Sequence, residues 1–214
     1  MRALAMVLAA SAAISFGSAA QAAITLTAVA GTNPYTGPVP TYDFESPAPV
    51  SGGLVTNTSV GGIRAQPFGS TGNYWTVGPS DGSPGLFDLS GFGDINSISF
   101  IWGSTDPYNT LEVLDGVGGI LATFTGINAY AFANGDQTSP FTNPLVTLLF
   151  DGADVGAATT LRLSSGQNAF ETDNYTINAA VPEPATWATM LFGFGAIGFA
   201  MRRRRKPALL AQAA

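Results

Sequence analysis

At 214 residues, with Gly 26, Pro 14 and only 10% charged side chains, the chain has room for one turn-rich β domain plus addressing segments. Cysteine and histidine are absent, which excludes a disulfide framework, a thiolate nucleophile, Ser-His and Cys-His pairs and the commonest zinc ligands. The net charge of −6 divides unevenly: Arg2 lies at the front and Arg202, Arg203, Arg204, Arg205 and Lys206 in the tail, leaving Arg64 and Arg162 against thirteen acids from Asp43 to Asp173. So acidic a body has no means of holding phosphate backbones, and nucleic acid is not an expected partner.

Residues 1–22 read as a signal peptide. One cation precedes an apolar run from Ala3 to Phe16, and small residues follow. Ala20 and Ala22 suit the −3 and −1 subsites of signal peptidase, which places cleavage before Ala23 after passage through the Sec translocon. The protein is therefore expected to be exported.

Residues 23–180 show recurring period-two alternation, which predicts short strands and an all-β fold, a single β-sandwich or jelly roll. In "ITLTAVA", Ile24, Leu26 and Ala28 share a face. The region from Gly31 to Pro49 holds five prolines and predicts a loop at the domain edge. In "INSISFIW", Ile98, Phe100 and Trp102 share one face, expected to be core, and Ile95 and Ile101 the other. "TLEVLDG" and "ILATFTG" predict a hairpin through Asp115-Gly116, and "LVTLLFDG" and "ATTLRLSS" a second through Asp151-Gly152. In "NAFETDNYTI", Phe170 and Thr172 fall on one face and Tyr175 and Ile177 on the other.

Three chemistries suit an exported, histidine-free β domain. Glycoside hydrolysis needs two carboxylates facing a sugar. Glu45, Glu112 and Glu171 are the glutamates available, but nothing in the sequence pairs them, and Glu112 between Leu111 and Val113 is expected to face solvent. The body is accordingly expected not to be an enzyme. A structural calcium would draw on Asp106, Asn109, Glu171, Asp173 and Asn174 in "GSTDPYN" and "ETDN", although no D-x-[DN]-x-[DN]-G loop is present. Sugar stacking would use Tyr74, Trp75 and Tyr108, which lie beside Gly- and Asn-rich turns and so are expected at the surface.

The tail begins with Pro182-Glu183-Pro184. Residues 185–201 are apolar apart from two threonines, and Arg202 to Lys206 follow as a cationic stop. A helix of that length rises ~26 Å, which predicts a short membrane span. Its cations are expected on the cytoplasmic side of the inner membrane, with 207–214 as a cytoplasmic extension. The two prolines keep Glu183 on extended backbone.

Pro182-Glu183-Pro184, then Trp187-Ala188, a Gly-rich apolar helix and an Arg cluster resemble a PEP-CTERM sorting signal (residues 181–206) in its PEPxxWA variant. The resemblance implies an exosortase, an integral-membrane cysteine transpeptidase, that recognises the triplet and cuts at or near it. "FIWGSTDPYNTLEVLDG" and "AFETDNYTI" also resemble segments of an exosortase-dependent surface-protein family of β-sandwich domains, which implies fold and location and brings no catalytic residues. The expected role is structural or adhesive at the cell surface or in an extracellular matrix, with exopolysaccharide as the expected surroundings. A carbohydrate-binding module is the alternative, and a polysaccharide-active enzyme the third reading.

Overall fold

The computed structural model describes residues 24–179 and 184–203. The expected signal peptide with Ala20, Ala22 and Ala23, the motif residues Pro182 and Glu183, and Arg204, Arg205 and Lys206 lie outside the described residues.

The alternating segments form strands: β1 (Thr25–Val29), β2 (Val50–Ser51), β3 (Leu54–Thr56), β4 (Tyr74–Val77), β5 (Gly85–Asp88), β6 (Ile95–Gly103), β7 (Asn109–Asp115), β8 (Ile120–Thr125), β9 (Leu145–Leu149), β10 (Ala158–Ser165) and β11 (Phe170–Ala179). One helical turn, α1 (Gly126–Ala129), follows β8, and α2 (Pro184–Arg203) follows β11. The strands make a six-stranded sheet in the order β1-β9-β6-β11-β4-β3 and a five-stranded sheet in the order β2-β5-β10-β7-β8. All named pairings are antiparallel.

Both sheets contribute to one core. Trp75, Phe100, Trp102, Phe170 and Tyr175 come from the first, and Phe87, Leu111, Val113, Leu161 and Leu163 from the second. The Phe87 and Tyr175 rings stack across the join with centroids 4.7 Å apart. Burial of aromatic and branched side chains is what holds such sheets together, at about 1.5–3 kcal/mol per side chain. The proline-rich segment from Gly31 to Pro49 carries no strand. A backbone bridge joins it to β11, where Thr41 and Tyr42 both donate N–H groups to the carbonyl of Tyr175.

Two β-bulges alter the predicted faces. Asp173 pairs with Ile101 and Thr176 with Ser99, so β11 carries an extra residue at Asn174, whose φ is +56°. The extra residue turns Tyr175 and Ile177 to the same side as Phe170, and all three are core, not divided between two faces as alternation predicts. The Tyr42 bridge satisfies the backbone that the bulge removes from the ladder. Near the end of the same pairing Asn178 faces Ser97 but Ala179 faces Ile95. Here β6 has the extra residue, and Ile95 joins the core while Ile101 faces outward.

The hairpin at Asp115-Gly116 forms as predicted. Its Asp115 carboxylate accepts from the N–H groups of Val117 at 2.9 Å and Gly119 at 2.6 Å. The second predicted hairpin does not form. β9 lies in the six-stranded sheet and β10 in the five-stranded one, so Asp151-Gly152 begins a crossing between sheets through a single 3-10 turn, Gly152–Asp154.

Glu112 leaves the core as expected and meets Arg162 on the neighbouring strand, Nε to Oε2 at 2.6 Å. The pair is partly exposed, so Arg162→Ala is expected to lower stability by less than ~1 kcal/mol. Urea unfolding checks this: a small shift in midpoint at unchanged slope is expected.

Candidate functional site

Tyr74 and Trp75 are both 0% exposed, which removes them as a surface stacking platform. Strand β4 lies inside the sheet between β3 and β11, and all four of its residues are buried. Trp75 packs in the core and donates its indole N–H to the carbonyl of Gly52 at 3.1 Å. Tyr74 points the other way, and its hydroxyl donates to the carbonyl of Thr58 at 3.0 Å. Trp102 is core, as the alternation predicts. Tyr108 remains partly exposed.

Tyr108 stands in a polar pocket of about 180 Å³, together with Asp106, Glu171, Arg64, Asn134 and Gln137. The pocket lies beside the outer face of the six-stranded sheet, because Glu171 alternates with core-facing Phe170 and Thr172 on β11. The loop after β6 supplies Asp106 and Tyr108, and the segment after α1 supplies Asn134 and Gln137. The Tyr108 hydroxyl donates to Oδ2 of Asp106 at 2.6 Å, with the Asn168 carbonyl oxygen 3.2 Å from the same hydroxyl. Burial, then the hydrogen bond to Asp106 and its charge, raise the Tyr108 phenol well above its ordinary value, so it stays a donor.

Glu171 forms the floor and is 2% exposed. Its Oε1 accepts the Ala65 N–H at 2.9 Å and its Oε2 the Ser104 hydroxyl at 2.7 Å. Burial pushes this carboxyl up to about 7, against the pull of those two donors. Asp106 is raised for the same first reason, with the Tyr108 hydroxyl opposing. Arg64 is neutralised by an ion pair with Asp81.

The residues expected to hold calcium do not converge. Asp106 and Glu171 line the polar pocket, whereas Asn174 lines a separate one with Asp43 and Glu45. Asn109 is fully buried, its Oδ1 taken by the Asp106 N–H at 2.8 Å and its Nδ2 bonded to Ser165 and Ala169. Asp173 is buried on β11, where Oδ1 accepts from the Asn174 N–H and Oδ2 has no partner. Burial pushes its carboxyl up to about 7. Among the described residues no group of three or more acidic side chains is arranged to hold a metal ion.

Arg64, Asn134, Gln137 and Asn168 were not legible as site residues. They come from three loops whose Gly, Asn and Asp content reads as turn chemistry, and only the fold brings them together.

Beyond β11 the chain changes character. Helix α2 exposes Leu191 at 71%, Phe192 at 79% and Phe199 at 69%, with Met190, Phe194, Ile197 and Met201 also exposed. Apolar side chains on all sides of a helix require a cover outside the folded body. The expected membrane span over 185–201 is not borne out: a helix forms, but no helix among the described residues is long and apolar enough to cross a membrane. Three glycines, two threonines and Trp187 dilute the apolar run.

A two-sheet β body followed by an apolar helix that ends in cations defines a protein with a C-terminal address attached to its fold. Residues 180–205 match the family model of the PEP-CTERM protein-sorting motif, so the chain carries that signal. The signal marks an exported protein sorted by an exosortase. No curated protein and no solved structure matches the chain.

Proposed function

We propose that the chain crosses the inner membrane through the Sec translocon, loses residues 1–22 to signal peptidase, and is held by residues 181–206 until an exosortase cuts at or near Pro182-Glu183-Pro184. The cations from Arg202 to Lys206 keep the C-terminus on the cytoplasmic side, and the exposed apolar side chains of α2 engage the membrane. The freed body, a β-sandwich, serves as a structural or adhesive component of an exopolysaccharide-associated envelope and does not catalyse a reaction.

The sorting match at 180–205 carries this reading. Its placement supports it further: β11 ends at Ala179, so a cut near Pro182 removes the address without opening the sheet.

Mass spectrometry of exported protein is expected to find a C-terminus at or near residues 182–184, and Glu183→Ala is expected to leave the tail attached. Intact residues 202–214 in the extracellular pool would refute the processing step.

A further inference from the structure

We propose that the polar pocket between Tyr108, Asp106 and Glu171 is a binding site for a neutral saccharide unit. The inference deepens the adhesive role proposed above and rests on the body being exported.

Several properties of the pocket select that ligand class. It is concave, about 180 Å³, and lined mainly by polar groups, which suits one sugar ring and not an extended apolar ligand. Carboxylate oxygens on Asp106 and Glu171 accept from hydroxyls, while the carboxamides of Asn134 and Gln137 both donate and accept. A sugar ring presents paired donors and acceptors of this kind at every hydroxyl. The partly exposed Tyr108 ring forms one wall, fixed by its hydroxyl bond to Asp106, and offers a flat face for C–H groups.

Charge removes the nearest competitors. The only cation at the pocket, among the described residues, is Arg64, and its charge is met by Asp81. An anionic ligand would face Asp106 and Glu171 without compensation, in a body that is acidic throughout. A divalent cation would need several convergent carboxylates, and among the described residues no group of three or more is arranged to hold one. The floor is preorganised, since Glu171 is held at both oxygens before any ligand arrives.

Exposed carboxamides carry the rim. Asn134 and Gln137 project from the segment between α1 and β9 and are exposed, so their substitution leaves the core intact. The same segment carries exposed Phe132 and Phe141, with Tyr130 and Phe141 stacked at 5.9 Å. An aromatic surface thus adjoins the polar pocket in sequence.

Calorimetric titration of the full chain in mild detergent with cello-, malto- and chito-oligosaccharides, and with oligogalacturonate as the acidic counterpart, tests the assignment. Binding of at least one neutral series is expected, with none of oligogalacturonate. Gln137→Ala and Tyr108→Phe are each expected to weaken it about tenfold, equivalent to ~1.4 kcal/mol. No binding of any neutral series overturns the assignment, as does affinity unchanged in both variants or oligogalacturonate bound equally well. A melting shift with calcium that Asp106→Asn abolishes overturns it in favour of a cation. Each of these failures leaves the processing result untouched, and an uncut exported tail leaves the binding result untouched.

Discussion

Tyr175→Ala is expected to destabilise the body by roughly 3–5 kcal/mol, the largest effect of any single truncation proposed here. The ring is fully buried and stacks on Phe87 at 4.7 Å and on Phe100 at 4.8 Å, with Phe44 edge-on at 5.8 Å. It therefore ties the two sheets and the proline-rich segment together at one point. Its hydroxyl lies 3.0 Å from the Thr172 hydroxyl, and its backbone holds the bridge to Tyr42. Tyr175→Phe keeps the ring and loses only the hydroxyl contact, so it should cost about 0.5–1.5 kcal/mol. Urea unfolding of both variants separates packing from hydrogen bonding. Equal losses in the two would show that the hydroxyl, not the ring, carries the stability, contrary to the geometry described.

The same residue shows where sequence patterning stops. Alternation identifies β6, the β7–β8 hairpin and the all-β class because side chains on a half-buried strand must alternate. A bulge adds one residue with no composition of its own, and Asn174 reads as an ordinary turn former. Everything after it is then assigned to the wrong face, which is what happens to Tyr175 and Ile177. Tyr74 and Trp75 mislead for a different reason. Gly72-Asn73 beside them signals a surface turn, yet Trp75 packs between the sheets and Tyr74 is buried on the opposite face, where its hydroxyl meets the Thr58 carbonyl. The pocket joins residues some sixty positions apart, Asp106 and Glu171, and no linear signal links them. The tail is the opposite case. A sorting signal is read by an enzyme as a linear string, so its meaning does not depend on the fold, and the match at 180–205 bears this out.

Stability is expected to fall as pH rises from about 4.5 to about 7, and Glu171 and Asp173 are the cause. Both carboxyls are pushed up to about 7 by burial, from ordinary values of 4.5 and 3.8. Between those limits the folded chain holds protons that the unfolded chain has released. Stability rises with pH only where the unfolded state binds more protons, so here it declines. The contribution is fully present below the unfolded values and is lost as pH passes through the folded ones. Shifts of this size correspond to upper bounds on the order of 3–4 kcal/mol per group. Glu171 recovers part of the cost when ionised, through the Ala65 and Ser104 donors, whereas Asp173 has the Asn174 N–H with Ser70 near by, and the charges of Asp43 and Glu45 oppose its ionisation further. Asp173→Asn should therefore remove more of the pH dependence than Glu171→Gln, and both variants should match or exceed the parent chain at pH 8. Asp88 and Asp136, lowered by hydrogen bonds from Ser90 and Thr138, act in the opposite direction at lower pH, but both are at the surface and their effect is small. Urea midpoints at pH 4.5, 6 and 8 decide the matter. A midpoint that climbs steadily over that range would mean that neither buried carboxyl resists ionisation, and the two variants would then show no flattening.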